Sequence, residues 1–321
     1  MENIKSSIDN GFRKGVLFIV LAMLILPAID AIAKGLSDTI SAGEVAWVRL
    51  IFQTIFLFPF VVLYGFTVKG PIWIHISRGV LMAGVWVLFV IALAVMPLAN
   101  VIAIFFISPL ILTLLGVFFL GEPIGWRRVS AIIAGLFGAL LITQPSYSDF
   151  GSISLLPACA AIGFAVYMLL TRKLARGSEV YSAISMQFYA GLFGTIFLTG
   201  ALIAGALMDV RVLSIALPNR FEWSLLVLLA IIATVGHILI ALAASRIGAG
   251  QIAPFLYLEI IGATTLGLIF FGDFPDYISW IGIIIIISSG LYVYYREAII
   301  IRVEASLLHD NSSPRPPGGA R

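Results

Sequence analysis

Long apolar stretches, separated by short polar connections, run through almost the whole chain. Each stretch holds about 20 predominantly apolar residues, the length that a helix needs to cross a hydrocarbon core of roughly 30 Å. The pattern therefore predicts an all-α integral membrane protein with ten transmembrane helices, at residues 15–34, 43–64, 74–95, 99–120, 125–143, 152–171, 181–205, 222–244, 249–271 and 277–295.

The second five stretches resemble the first five. Gly121-Glu122-Pro123 ends the fourth stretch, and Gly272-Asp273-Phe274 ends the ninth, about 150 residues further along the chain. A repeat with an odd number of helices enters the membrane in the opposite direction the second time, as in alternating-access carriers. We therefore expect two inverted five-helix repeats, at residues 15–143 and 152–295. A cytoplasmic N-terminus at 1–14 precedes them, and a disordered tail at 297–321 follows.

Composition and charge agree with this class. The chain is 61% hydrophobic and 11% charged, whereas about 25% of the residues in a soluble domain are charged. If the N-terminus is cytoplasmic, most of the 19 Lys and Arg residues lie on the cytoplasmic side of the membrane. Lys34, Arg211 and Arg220 then lie on the outer side. This asymmetry predicts a cell inner membrane protein with both termini in the cytoplasm. The basic residues flank apolar stretches, so we expect contact with the lipid bilayer and none with nucleic acid.

One alternative concerns the first stretch. Basic residues precede it and Ala31-Ile32-Ala33 mimics a signal-peptidase site, so it could be a cleaved signal peptide. Cleavage would remove both the charge asymmetry and the repeat.

Motifs for catalysis or metal binding do not occur. The sequence has no H-E-x-x-H and no G-x-x-x-x-G-K-[ST], and His75, His237 and His309 lie on different segments. Cys159 is the one cysteine, so it cannot form an intramolecular disulfide. We therefore expect no enzymatic activity, no metal and no cofactor. A transporter without an ATPase motif must use a gradient or exchange, with a small-molecule substrate.

Ionisable residues within apolar stretches are costly and therefore mark candidate functional positions. Asp30 lies about one helical turn inside the outer end of the first stretch, with Lys34 four residues later on the same face. Arg49 lies at a similar depth in the second stretch. We expect Asp30 and Arg49 to pair, either as a structural ion pair or as part of a gate.

Glu259 lies near the middle of the ninth stretch, where a charge is most costly. It must face a partner, a water-filled cavity or a proton. Ser108 and Pro109 occupy the equivalent place in the fourth stretch. Because Pro109 removes a helix hydrogen bond, it predicts a kink there. A carboxylate and a kinked helix at equivalent mid-membrane positions indicate a substrate site between the repeats.

Further candidates for substrate contact are polar or aromatic residues within the apolar stretches, namely Trp86, Asn100, His237 and Tyr257. Such a residue more often packs against or hydrogen bonds to a neighbouring helix. Ala131, Gly135 and Ala139 recur every four residues along the fifth stretch. This seam of small residues predicts close helix packing, within the chain or between the protomers of a homodimer.

Several segments resemble the EamA branch of the drug/metabolite transporter superfamily. The most specific are Ala103-Ile104-Phe105-Phe106-Ile107-Ser108-Pro109-Leu110 and Ala253-Pro254-Phe255-Leu256-Tyr257-Leu258-Glu259. The resemblance covers about residues 13–297 and implies a ten-helix inverted-repeat fold. It also implies solute transport through a central cavity, with the third, fourth, eighth and ninth helices among its walls.

The resemblance leaves the substrate open. Within this branch the chain is similar to riboflavin importers and to S-adenosylmethionine uptake carriers. The resemblance of the whole chain favours riboflavin-like vitamin uptake. A carboxylate at Glu259 instead favours a cationic ligand such as S-adenosylmethionine or an amino acid. Export also fits the sequence. A non-transporting scaffold, or an intramembrane enzyme that uses Glu259 and His237, is the alternative of another class.

Overall fold

The structure is a computed structural model that describes residues 2–65, 70–96, 98–121, 125–143, 151–175, 180–271 and, with short gaps, 277–299. Some side chains within these ranges, that of Asn100 among them, are outside the description. The predicted tail at 297–321 lies almost wholly outside the described residues.

Every regular element in the described part of the chain is helical, which confirms the helical class. Two short 3-10 helices cover Gly151–Ser154 and Arg211–Leu213. The α-helices are α1 Glu2–Ile25, α2 Pro27–Leu36, α3 Ala42–Tyr64, α4 Ile72–Val95, α5 Leu98–Phe105, α6 Ser108–Leu120, α7 Trp126–Thr143, α8 Leu155–Ala175, α9 Val180–Leu207, α10 Arg220–Ala244, α11 Ala249–Leu256, α12 Glu259–Phe271 and α13 Trp280–Ser289.

The protein is a multi-pass membrane protein. Six of its described helical segments are long and apolar enough to cross a bilayer: Asn10–Leu36, Ala42–Tyr64, Ile72–Val95, Leu155–Ala175, Ala183–Leu207 and Arg220–Ala244. Shorter apolar helices cover Ser108–Leu120, Val129–Gly138, Gln251–Gly262 and Trp280–Ser289. Each of the ten predicted stretches therefore contains an apolar helix.

Within the described residues, three of these stretches are interrupted. The first breaks between α1 and α2, where Pro27 follows Leu26. The fourth breaks between α5 and α6, with Pro109 in the first turn of α6. Proline has no N–H to bond to the preceding turn, which favours an interruption at these places. The ninth breaks between α11 and α12, where the Leu258 N–H bonds to the carbonyl of Phe255 in the tighter 3-10 pattern.

The interruptions lie against one another. The rings of Phe106 and Tyr257 approach to 5.5 Å between centroids, at the breaks of the fourth and ninth stretches. A Cβ atom on Gly262 of α12 would lie 2.8 Å from Cγ of Pro27, so the backbone of α12 passes directly beside the α1–α2 break. The breaks therefore bring irregular backbone together inside the protein, where it is shielded from lipid.

Around this centre the remaining helices pack closely. α4 lies against α8 and α9, and α3 lies against α9 and α10. A Cβ atom on Gly79 of α4 would lie 2.7 Å from the backbone nitrogen of Gly194 of α9, so only glycine permits this approach. α4 is thereby held with one face toward the cavity described next.

Candidate functional site

A cavity lies beside the helix breaks, with about 500 Å³ of empty space that includes volume open to solvent. Its walls are mainly apolar and aromatic, with two carboxylates and one imidazole. The lining residues are Met23, Leu26, Ile29, Asp30, Val85, Trp86, Phe89, Phe105, Phe164, His237 and Glu259.

The two carboxylates line this cavity from different interrupted helices. Asp30 lies in the first turn of α2, and Glu259 is the first residue of α12. The partial positive charge of a helix N-terminus favours an anion at such positions. Both carboxyl groups line the same cavity, and neither hydrogen bonds to another of the described residues. Like charges in an apolar cavity repel strongly, so a cation between them relieves the repulsion.

Four aromatic side chains form a connected wall of the cavity. Trp86 contacts Phe89 at 6.4 Å between ring centroids, and Phe89 contacts Phe105 at 5.2 Å. Phe105 in turn lies 5.4 Å from Phe164. Phe89 follows Trp86 by three residues on α4, so both lie on the same face of that helix. These rings can pack against a planar ring of a ligand.

Arg49 lies directly behind this wall. Its Cζ atom is 4.4 Å from the centroid of the Trp86 ring, which is a cation–π geometry. Its Nη2 atom lies 3.2 Å from Nδ1 and 3.4 Å from Nε2 of His237. Because His237 Nδ1 is also 2.8 Å from the Ala233 carbonyl, we assign the proton of the neutral ring to Nδ1. Nε2 then accepts from Arg49.

The side chains predicted to pair near the outer surface make other contacts. No direct ion pair joins Asp30 to Arg49 among the described residues, although their charges interact. Lys34 lies away from the cavity lining, and its Nζ donates to the carbonyl of Met96 at 3.4 Å. The ion pair of Asp30 and Arg49 therefore stays a prediction.

The other predicted candidates lie beside the cavity or outside the description. Tyr257 is fully buried and its hydroxyl donates to the carbonyl of Phe106 at 3.3 Å, so it connects the two breaks and is not among the lining residues. Ser108 is buried at the start of α6, next to Pro109. The side chain of Asn100 lies outside the described residues.

The small-residue seam of the fifth stretch packs within the chain. A Cβ atom on Gly135 would overlap the ring of Tyr257. Outside the seam, one on Gly138 would lie 2.8 Å from the carbonyl oxygen of Gly282. Ala131 is buried, and the side chain of Ala139 is outside the description. The seam therefore lets α7 approach the ninth stretch, and Gly138 lets it approach the tenth.

A buried polar network was not predicted from the sequence. Arg78 donates from Nε to Thr171, from Nη1 to the Met186 carbonyl and from Nη2 to the Tyr167 hydroxyl. Tyr167 donates to Gln187, which donates to the backbone carbonyl of His237. Arg78 lies near a helix end, where basic residues usually face the membrane surface, so the sequence did not indicate this inward orientation.

Comparison with known proteins identifies related sequences over most of the chain. The profile of the EamA-like transporter family matches residues 13–144 and again 151–295. An S-adenosylmethionine uptake transporter of Rickettsia bellii is 31% identical over 286 residues, which are 88% of this chain and 94% of that protein. A riboflavin transporter of Rhizobium johnstonii is 28% identical over 88% of this chain and 91% of its own length.

Two further comparisons extend this picture. A pseudopaline exporter of Pseudomonas aeruginosa is 26% identical over 86% of this chain and 94% of its own length. One solved crystal structure superposes with a TM-score of 0.69 at 17% identity, covering 88% of this chain and 97% of the other. At that identity the likeness concerns the fold alone. Proteins similar to this chain thus include carriers of several compounds and of both transport directions.

Proposed function

This chain belongs to the EamA-like transporter family, and we propose that it is a secondary transporter for the uptake of an organic cation that carries a planar ring. S-adenosylmethionine is the compound that the site favours. The observation that carries the proposal is that Asp30 and Glu259 line one cavity with an aromatic wall. Two carboxylates in one largely apolar cavity favour a cationic solute over a neutral one.

We propose that transport proceeds by alternating access between two inverted repeats. The family profile matches the chain twice, over 13–144 and 151–295, and each match covers five of the ten apolar stretches. An odd number of helices per repeat requires opposite orientations. The distribution of Lys and Arg favours the inner membrane with both termini in the cytoplasm.

The chemistry of S-adenosylmethionine matches the cavity. The compound has a sulfonium and an ammonium group close together, and an adenine ring several bonds away. Carboxylates at Asp30 and Glu259 can compensate the positive charges, while the rings of Trp86 and Phe164 can contact adenine. Four relatives between 28% and 31% identical are described as S-adenosylmethionine uptake transporters, which supports the same choice.

Riboflavin uptake is the second candidate. The aromatic wall of Trp86, Phe89, Phe105 and Phe164 suits the isoalloxazine ring. The riboflavin transporter that is 28% identical to this chain also supports riboflavin as the substrate. Riboflavin carries no positive charge, so this candidate gives the two carboxylates no charge on the substrate to compensate. We therefore rank it below the cation.

Uptake into liposomes tests the proposal. The purified full chain is reconstituted, the vesicles are loaded with unlabelled S-adenosylmethionine or riboflavin, and entry of the matching labelled compound is followed against protein-free vesicles. We expect counterflow of S-adenosylmethionine and inhibition by excess unlabelled compound. Counterflow of riboflavin alone would select the second candidate, and counterflow of neither would refute both substrates.

A further inference from the structure

Arg49 is fully buried, yet two of its three nitrogen atoms have no hydrogen-bond partner in the part of the chain that the structure describes. Nη2 lies next to His237, whereas Nε and Nη1 contact no acceptor among the described residues. A buried donor without an acceptor costs free energy, and a charged donor costs more than a neutral one. Such a group in a folded protein therefore calls for an explanation.

Burial alone does not explain the missing acceptors. Arg78 is equally buried, and each of its three nitrogen atoms donates a hydrogen bond to the protein. The chain therefore provides acceptors for every nitrogen atom of the Arg78 guanidinium but, among the described residues, not for Nε and Nη1 of Arg49. The difference between them is location, because the contacts of Arg49 are with Trp86 and His237, which line the cavity.

We infer that Arg49 binds a carboxylate of the transported molecule, so that the substrate class is a zwitterion with a carboxylate close to a cationic group. This inference rests on the proposed function. The cationic group of the substrate lies between Asp30 and Glu259. The carboxylate of the substrate inserts between the side chains of Trp86 and His237. There it accepts hydrogen bonds from Nε or Nη1 of Arg49, which are the donors left free.

Charge balance supports this arrangement. The carboxylates of Asp30 and Glu259 face the cavity, and the guanidinium of Arg49 lies behind its wall, against the Trp86 ring. An amino-acid head group carries a positive and a negative group a few bonds apart. It can therefore compensate both sides of the site, whereas an organic cation without a carboxylate leaves the guanidinium unpaired.

The test compares two ligands that differ in this one group, S-adenosylmethionine and its decarboxylated analogue. The apparent Kd of each is measured from the thermal stabilisation of the purified full chain. We expect the wild type to bind S-adenosylmethionine about tenfold or more tightly than the analogue, because hydrogen bonds to charged groups are among the stronger ones. Arg49→Gln should lower this ratio to about one, because the analogue has no carboxylate for the guanidinium to bind.

Arg78→Gln is the matched control, since it removes an equally buried guanidinium outside the cavity wall and should leave the ratio as in the wild type. If Arg49→Gln does not fold, Arg49→Lys keeps the charge but has fewer donors, and the ratio should fall partway. A wild-type ratio near one would overturn the inference without any variant, as would an unchanged ratio in a folded Arg49→Gln protein. If neither ligand binds the wild type, the proposed function itself fails.

Discussion

The Tyr257 hydroxyl donates a hydrogen bond to the backbone carbonyl of Phe106, and the two rings pack at 5.5 Å. Each residue lies at the interruption of an apolar stretch, Phe106 between α5 and α6 and Tyr257 between α11 and α12. The bond therefore ties together the two places where backbone bonding is irregular. Glu259 begins α12 two residues later, so its position depends on this contact.

Tyr257→Phe removes the hydroxyl and keeps the ring. Hydrogen bonds between membrane helices contribute about 0.6 kcal/mol on average, so we expect a small decrease in the free energy of unfolding. We expect a larger decrease in the maximal transport rate with little change in KM, because Tyr257 is not among the residues that line the cavity. Tyr292→Phe, at an exposed position, is the control. A large rise in KM would instead assign Tyr257 to substrate binding.

Glu259→Gln and Asp30→Asn each remove one of the cavity carboxylates with little change in size. We expect either change to raise the KM for S-adenosylmethionine about tenfold or more, since an opposite charge is lost from an apolar site. The folded yield should be unchanged, because neither carboxyl group hydrogen bonds to another described residue. Concentration-dependent uptake into liposomes measures this effect.

Glu44→Gln is the matched control for the loss of a carboxylate. Glu44 is also buried, but it lies outside the cavity, where its Oε2 accepts from the Ala216 N–H at 2.7 Å. A glutamine oxygen can still accept that bond, so transport should remain near the wild-type level. If Glu259→Gln and Asp30→Asn both transport normally, the carboxylates do not bind the cation.

Hydropathy was enough to predict the six long apolar helices, because a helix that crosses the membrane must be apolar along its length. It also drew attention to Asp30 and Glu259, since a carboxylate in lipid is costly. That they line one cavity could not be predicted, because they lie on the first and ninth stretches and no local pattern relates the two. The interruptions at Pro27 and Pro109 are favoured by the loss of an N–H.

The aromatic wall shows where the sequence carries little information. Phe89, Phe105 and Phe164 look like any other phenylalanine in a membrane helix, and only the packing of α4, α5 and α8 directs them into the cavity. Tyr257 shows the reverse. It was a candidate for substrate contact as an aromatic residue within an apolar stretch, but its ring packs against Phe106 and it is not among the residues that line the cavity.

Gly135→Ala tests how closely α7 must approach the break of the ninth stretch. A Cβ atom at this position overlaps the ring of Tyr257, and overpacking of this kind costs about 1–3 kcal/mol. We expect a lower thermal stability in detergent together with reduced transport. Gly200→Ala is the matched control, because a Cβ atom there meets nothing within 4 Å. It should be neutral or slightly stabilising, as alanine favours the helix. Equal stability of the two variants would contradict the close contact.

Arg49 can be held either by its aromatic neighbour or by Asp30, and double-mutant cycles separate the two. The guanidinium lies 4.4 Å from the Trp86 ring centroid, and a desolvated cation–π contact contributes about 2 kcal/mol. We therefore expect the cycle of Arg49→Met with Trp86→Leu to give a coupling energy of that order in thermal unfolding. The cycle of Arg49→Met with Asp30→Asn should give less, because no direct ion pair joins these residues among those described. A larger coupling with Asp30 would mean that the predicted ion pair forms in the membrane, and that Arg49 moves away from Trp86 to make it.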